Sequence, residues 1–99
     1  MKEIIQQLNL VFENRIRLAI MSVLMVNDSI DFNSLKQTLD LTDGNLSSHI
    51  ATLEKSKYVA VRKKFVGKKP LTTYSATTTG KRAFSDHLDA LEQLIKMAQ

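Results

Sequence analysis

The spacing of the apolar residues changes twice along the chain, and these changes limit the folds that the sequence can adopt. Up to about residue 57, and again after residue 77, apolar residues recur every three or four positions, as in α-helices. Between these regions the pattern has period two, with Val59, Val61 and Phe65 on one face and Arg62 and Lys64 on the other, and the β-rich segment LTTYSA follows a Gly-Lys-Lys-Pro turn. The pattern predicts a mainly α fold with one small β-hairpin.

The first strong helical pattern begins at Ile16 and ends at the polar cluster 27–29. Residues 4–12 predict a short leading helix or an extension of the same helix. Two apolar stripes run along the helix, one of Ile16, Ala19, Ile20, Val23 and Leu24, the other of Leu18, Met21 and Met25. Because a helix that is apolar on two sides must be covered on two sides, we expect the second stripe to contact another subunit.

The segment 33–56 has the layout of a helix-turn-helix, in which two helices are separated by a few residues. A brief extended piece at 30–32 precedes it, and Asn33 and Thr42 are the predicted N-caps of its two helices. The buried line of the second helix is predicted to consist of Leu46, Ile50 and Leu53.

A strongly basic bend, RKKFVGKKP, occupies residues 62–70 within the hairpin predicted at about 58–76. The chain has 14 basic and 10 acidic residues, and without the five cations of this bend only nine basic residues remain. The positive excess therefore lies in one segment. Lys63 falls on the apolar side of the alternation, so the inward face ends by Val61 or the strand carries a bulge.

A last helix is predicted at about 77–98, beginning at Thr77. Its apolar residues have the spacing of a coiled-coil seam and are Phe84, Leu88, Leu91, Ile95 and Ala98. This stripe can pack on the chain's own core or form a dimer interface with the first helix, and we expect the dimer. The expected interface residues are Leu18, Met21, Met25, Phe84, Leu88, Leu91 and Ile95.

Several function classes are disfavoured by the composition. The chain has no cysteine, which excludes disulfides and thiolate metal sites, and its apolar runs fall short of the ~18 residues of a membrane span. The N-terminus lacks the layout of a secretory signal. We expect residues 1–99 to form one soluble, cytoplasmic domain that needs no cofactor and has no contact with a membrane.

Catalysis and metal binding are not expected. Ser47 and Ser48 neighbour His49, but adjacent side chains on a helix diverge by about 100° and no third orienting group is evident. His87, near Asp86 and Asp89, is expected to be a solvated or interface side chain rather than a metal ligand.

From Arg15 to about Phe84 the chain resembles the winged-helix transcriptional regulators of the MarR and ArsR type. The resembling segments are NRIRLAIMSVL, LTDGNLSSHIATLEKSKYV, KKFVGKKPLTTYSATTTGKRAF and the final long helix. The resemblance implies a winged helix-turn-helix of order α-β-α-α-β-β-α with a long C-terminal dimerisation helix. It also implies a homodimer that binds pseudo-palindromic operators in bacteria or archaea. The cysteine-containing metal box of many ArsR-type sensors is missing, so metal sensing is not expected.

In a winged helix the second helix of the helix-turn-helix enters the DNA major groove, and the hairpin, or wing, lies beside it along the backbone. We expect Asn45, Ser48 and Thr52 to read bases, and Ser47 and His49 to contact base edges or phosphates. Lys55 suits phosphate, and Gly44 permits close approach of the backbone. Thr42 and Asp43 are expected to cap the helix. The expected wing contacts are Arg62, Lys64, Lys68 and Lys69, of which the last two lie at the tip.

These features predict a sequence-specific regulator of transcription that binds double-stranded DNA as a homodimer and acts as a repressor. The alternative is a winged helix that binds a protein partner or coats DNA without sequence preference. An unknown small-molecule effector could bind in a pocket at the dimer interface, although methionines at such spacing more often belong to a core.

Overall fold

The computed structural model describes residues 1–98, which form five α-helices and a three-stranded antiparallel sheet. The helices are α1 (Lys2–Gln6), α2 (Arg15–Met25), α3 (Phe32–Leu39), α4 (Asp43–Lys55) and α5 (Thr78–Met97). The strands are β1 (Ile30–Asp31), β2 (Val59–Val66) and β3 (Lys69–Ala76), in the sheet order β1-β3-β2. This order confirms the predicted winged helix-turn-helix with a long C-terminal helix, and α1 precedes it.

The N-terminal segment is a separate element and not an extension of α2. A 3₁₀ helix, Leu10–Glu13, follows α1, and the chain is extended at Asn14. The Asn14 side chain accepts hydrogen bonds from the backbone N–H groups of Ile16 and Arg17 at 2.9 and 3.1 Å. Because this cap satisfies two of the amides that α2 leaves unpaired, α2 begins afresh at Arg15.

The first helix of the helix-turn-helix begins earlier than predicted. Its N-cap is Asp31, whose carboxylate accepts hydrogen bonds from the Ser34 N–H at 3.1 Å and the Ser34 hydroxyl at 2.6 Å. These bonds lower the pKa of Asp31. The prediction of Asn33 as the cap is wrong because Phe32 is already helical and the extended piece ends at Asp31.

The turn between α3 and α4 is three residues long. Asp40 has a left-handed backbone with φ of 52°, and the N–H of Leu41 donates to the carbonyl of Lys36 at 3.0 Å, as at many helix ends. The Thr42 hydroxyl accepts from the Asn45 N–H at 3.1 Å, which confirms Thr42 as the cap of α4. The Lys36 side chain, in α3, also forms a 2.8 Å ion pair with Asp43 at the start of α4, so this pair joins the two helices across the turn.

The hairpin has a continuous register from the pair Val59 and Ala76 to the pair Val66 and Lys69, so β2 carries no bulge. Its burial fades after Val61, so of the two predicted alternatives the inward face ends there. Gly67 has φ of 65° while Lys68 does not have positive φ, as in a two-residue type II′ turn.

One core joins the helices to the base of the sheet. Its buried residues are Phe12, Ile20, Met21, Leu24, Leu35, Leu46, Ile50, Leu53, Val59, Tyr74 and Phe84. The predicted inward line of α4 is therefore confirmed. Leu18 and Met25 are half-buried against the same core.

The long helix α5 is covered along one side only. Thr77 caps it by accepting from the Gly80 N–H at 2.9 Å, and the buried line comprises Gly80, Phe84, His87 and Ala90. His87 is 3% exposed, so the prediction of a solvated or interface side chain is wrong. Leu88 and Ile95 remain 44% and 62% exposed on another side of the helix. Among residues 1–98, no helix is both long and apolar enough to cross a membrane.

Candidate nucleic-acid interface

The outer side of α4 is polar and open to solvent. Its buried line of Leu46, Ile50 and Leu53 anchors the helix, because these three side chains are almost fully enclosed by the core. The predicted DNA-contacting residues that the structure leaves exposed are Gly44, Asn45, Ser47, Ser48 and Lys55. Thr52 and His49 are half-buried.

Asn45 lies in the first turn of α4. Its backbone N–H is satisfied by Thr42, and within residues 1–98 its exposed side-chain amide makes no hydrogen bond. The amide can therefore pair with a base edge without first breaking an internal contact. A concavity of about 380 Å³ lies beside it, lined by Arg15, Ile16, Ala19, Leu39, Leu41 and Asn45.

The Thr52 hydroxyl faces its own helix, where it lies 3.4 Å from the Ser48 carbonyl oxygen. This contact is long and therefore weak, so it can exchange for a bond to DNA. Ser48 itself is exposed. The two residues are one helical turn apart, so they can act on neighbouring base pairs.

A contact between α2 and α4 holds His49. The Arg17 guanidinium donates from Nη1 to His49 Nδ1 at 3.1 Å and from Nε to the Val11 carbonyl at 2.7 Å. Because a guanidinium cannot accept, His49 Nδ1 must be the acceptor and its proton must reside on Nε2. Burial and, secondarily, the Arg17 charge lower the pKa of His49. The neutral ring thus keeps Nε2–H as a donor for phosphate or a base.

Arg17 was missed by the sequence analysis. A signal for it was present, because Arg17 precedes Ile20, Met21 and Leu24 at helical spacing and so continues the buried side of α2. A charged residue at such a position needs a partner.

The wing carries five exposed cations, and within residues 1–98 none of them forms an ion pair. Lys68 lies in the turn itself, with Lys69 next to it in β3. Arg62 and Lys64 lie on the face turned away from the core, where they line a concavity of about 390 Å³ together with Asp28 and Ser29. Lys63 was not among the predicted wing contacts. It lies on the same face of β2 as Val59 and Val61 but beyond the core, where it is exposed.

Hydrogen bonds of Asn9 connect the segment that follows α4 to the N-terminal segment and to α5. Asn9 donates from its backbone N–H to His87 Nδ1 at 2.9 Å and from its side chain to the Tyr58 hydroxyl at 2.9 Å. The ring of Phe12 packs on both Tyr58 and Phe84, at centroid distances of 5.3 and 5.2 Å. The chain segment after α4 is thus fixed to α5, which orients the outer side of α4 relative to that helix.

Among residues 1–98, no cluster of three or more acidic or histidine side chains could hold a metal ion.

The sequence model of the family described as "Winged helix DNA-binding domain" matches residues 16–95, which is most of the chain. The chain belongs to this winged-helix family. In this protein α3 and α4 form the helix-turn-helix, α4 has the position of the recognition helix, and β2–β3 is the wing. The family is one of DNA-binding domains rather than of enzymes.

Two relatives match the winged helix over nearly its whole length. An uncharacterised protein of Methanocaldococcus jannaschii is 33% identical over 86 residues, which cover 87% of this chain and 94% of that protein. A solved structure of a transcriptional regulator homologue from Pyrococcus horikoshii OT3 is 32% identical, with a TM-score of 0.87 over 99% of this chain and 95% of that chain.

More distant neighbours share the fold alone. Reduced AbfR bound to DNA is 18% identical with a TM-score of 0.71, over 84% of this chain and 60% of that one. The structures of NadR and MepR match at 17% identity each, with TM-scores of 0.72 and 0.69, so the predicted winged-helix fold is confirmed. Together these matches support a DNA-binding regulator.

Proposed function

We propose that the protein is a sequence-specific regulator of transcription, which binds double-stranded DNA as a homodimer on a pseudo-palindromic operator. The observation that carries the proposal is the pairing of two exposed surfaces. One is the polar side of the recognition helix, and the other is the basic wing beside it. Polar side chains of the first kind read base edges, whereas cations of the second kind gain affinity by releasing counterions from phosphates.

The proposed base contacts are those of Asn45, Ser48 and Thr52, with Ser47 and His49 at base edges or phosphates. Lys55 and the wing cations Arg62, Lys64, Lys68 and Lys69 are proposed phosphate or minor-groove contacts, and Lys63 joins them because it is equally exposed. Gly44 is open to solvent, and a β-carbon added there would meet no neighbouring atom within 4 Å, so a DNA backbone can approach it closely.

The homodimer is supported by the shape and surface of the chain. The radius of gyration is 15.1 Å, whereas a compact domain of about 100 residues has about 13 Å. Exposed apolar side chains lie on α1 and α5, which contact each other, and include Ile5, Leu88, Ile95 and Met97. A second subunit would cover this surface.

The proposed interface differs from the expected set. Leu88, Leu91 and Ile95 stay in it, because Leu91 is half-buried and the other two are exposed. Met21 and Phe84 are 0% and 4% exposed in the chain's own core, so their side chains cannot reach a partner and we leave them out.

Leu18 and Met25 can contribute only their exposed edges to the dimer interface, since both pack on the core.

We also propose that a small-molecule effector regulates the dimer, by analogy with NadR, whose structure is a complex with 4-hydroxyphenylacetate. Met21 and Met25 pack on the core, as methionines at this spacing more often do, so the proposed effector pocket is not assigned to them.

Repression is the proposed action, since occupancy of an operator is sufficient to block a promoter and a DNA-binding domain alone can provide it. The proposed location is the cytoplasm. The relative from Pyrococcus horikoshii, described as a transcriptional regulator homologue, supports the regulatory role.

The test is selection of bound duplexes from fragments of the source organism's genome at near-physiological salt. The proposal predicts enrichment of a pseudo-palindrome whose half-sites are about one DNA turn, roughly 34 Å, apart. Binding without an enriched sequence would favour an architectural role. Absence of binding would favour a module that recognises a protein partner.

A further inference from the structure

The tip of the wing exposes large apolar side chains that the core does not reach. Phe65 is 74% exposed and Val66 is 61% exposed, although both lie in the regular part of β2. Single exposed apolar residues are common on protein surfaces. An aromatic ring at the end of a projecting hairpin is different, because a two-residue turn needs no aromatic residue for its own stability.

The strand register groups these side chains by face. Phe65 is directly opposite Pro70, and on the same face the preceding pair is Lys63 and Thr72. Val66 is opposite Lys69 on the other face. One face of the tip therefore presents two rings side by side, the phenyl ring of Phe65 and the pyrrolidine ring of Pro70.

This face is on the same side of the sheet as the recognition helix. Val59 and Val61 share the face of Phe65, and Val59 is buried in the core on which α4 packs. Phe65 follows Val61 by four residues, so it projects about 13 Å beyond the edge of the core. A duplex bound along α4 would thus meet the tip of the wing.

The charges around the two rings indicate what they contact. Lys63 lies on the same face as the two rings, Lys68 lies in the turn, and Lys64 and Lys69 lie on the opposite face of the strands. No acidic side chain within residues 1–98 forms an ion pair with these lysines. A protein interior or a second copy of this face would have to bury or oppose the uncompensated charge of Lys63, with three further cations in the same hairpin tip. The phosphates that flank a DNA minor groove neutralise them instead.

We propose that Phe65 and Pro70 form an apolar wedge that enters the minor groove next to the recognition helix and partly unstacks one base step. This inference rests on the proposed DNA-binding function and extends it. Apolar side chains that act in this way kink the duplex toward the major groove. The cost is lowest at flexible pyrimidine–purine steps, so the wing selects TA or CA/TG steps flanking each half-site without hydrogen bonds to them.

The experiment compares four variants on the selected duplex. Phe65→Ala removes the wedge, Phe65→Leu keeps an apolar side chain, Val66→Ala removes an apolar group from the opposite face, and Lys69→Ala removes a charge. The affected side chains are exposed, so the fold is retained, which circular dichroism checks. Affinity is measured by titration at several salt concentrations, and unstacking by fluorescence of 2-aminopurine placed at the flanking step.

We expect Phe65→Ala to weaken binding on the order of tenfold, with an unchanged salt slope and without the rise in 2-aminopurine fluorescence. Phe65→Leu should keep part of both effects and Val66→Ala nearly all of them. Lys69→Ala should lower the salt slope but retain the fluorescence rise.

Wild-type affinity and fluorescence in Phe65→Ala, together with weakened binding by Lys69→Ala, would overturn the wedge while leaving the proposed function intact. If the wild-type protein binds no duplex, the proposed function fails as well. Phe65-dependent binding to phosphatidylglycerol vesicles, with no effect of Phe65→Ala on DNA, would assign the tip to a membrane surface and also overturn the wedge.

Discussion

Arg17 donates a hydrogen bond from its guanidinium to Nδ1 of His49 at 3.1 Å, which ties the start of α2 to the middle of the recognition helix. The second bond of Arg17, to the Val11 carbonyl, anchors it to the 3₁₀ helix. Arg17 is thus a positioning residue that sets the tautomer and direction of a proposed DNA-contacting side chain.

Arg17→Met should raise the pKa of His49, because the Arg17 charge is one of the two causes that lower it. An NMR titration of the two histidines measures this change, with His87 as the internal reference. The variant should also weaken DNA binding, whereas Arg15→Met, at an exposed site two residues away, should leave the His49 titration unchanged. An unaltered His49 pKa in Arg17→Met would contradict the assigned contact.

Asn45 and Lys69 should differ in what they contribute to DNA binding. Asn45→Ala should relax the choice of base at one position of each half-site, with a loss of about 1–3 kcal/mol on the preferred sequence. Lys69→Ala should weaken binding to all duplexes alike and reduce the magnitude of the salt slope by about two in a dimer. Competition titrations with the selected duplex and single-base variants distinguish the two. Equal losses on every duplex for Asn45→Ala would count against base readout.

Two glycines should respond in opposite directions to replacement by alanine. A β-carbon at Gly80 would collide with the backbone carbonyl of Tyr58, so Gly80→Ala must displace backbone and should destabilise the fold by about 1–3 kcal/mol or more. Gly44, within α4, has nothing within 4 Å, so Gly44→Ala should stabilise by about 0.5–1 kcal/mol. Urea unfolding measures both effects. If Gly44 also approaches the DNA backbone, its variant should be more stable yet bind DNA more weakly.

His87 should make stability depend on pH. Burial lowers the pKa of His87 from the ordinary 6.5, partly opposed by the nearby charge of Glu13, and its Nδ1 accepts from the Asn9 N–H. The unfolded chain therefore binds a proton more readily than the folded chain in the window below pH 6.5. The stabilisation is complete above this pH and is lost as the pH falls through the folded-state pKa.

Urea unfolding at a series of pH values from 7.5 to 5 checks this expectation. His87→Asn, whose side-chain oxygen can accept from Asn9, should lose stability overall but show a smaller decrease on acidification. His49→Asn is made for comparison, because the pKa of His49 is also lowered and this variant measures the share of the decrease that comes from His49. A full acid-dependent loss in His87→Asn would show that other groups cause it.

Charge placed on the outer side of α5 should dissociate the proposed dimer. Ile95→Glu puts a carboxylate on a 62% exposed apolar position, and sedimentation equilibrium at micromolar concentration should then report a monomer. Gln93→Glu adds the same charge at an exposed polar position of the same helix and should remain dimeric. A wild-type protein with monomer mass would rule out this interface at that concentration.

Local features were the ones that could be predicted from the sequence. Thr42 was identified as a helix cap, and Thr77 as the start of the last helix, because both features depend on residues only a few positions away. Asp31 was missed in favour of Asn33, since the choice depends on the pairing of β1 with β3 some 40 residues along the chain.

The apolar residues of α5 show the same difference between what local sequence predicts and what tertiary contacts decide. Their spacing identified a helix, but period alone cannot tell which side of a helix faces the core. Phe84 is buried because Phe12 packs against it, and His87 is buried because Asn9 and Phe12 cover it. Both partners come from the N-terminal segment, so these contacts depend on tertiary structure and leave no pattern within α5.

The most direct measurement of the central claim is the affinity of the wild-type protein for its selected duplex as a function of salt concentration. If about three cations per subunit contact phosphates in a dimer, log K should fall against log salt with a slope on the order of −5. A slope near −1 would contradict an interface in which the recognition helix and the basic wing bind DNA together.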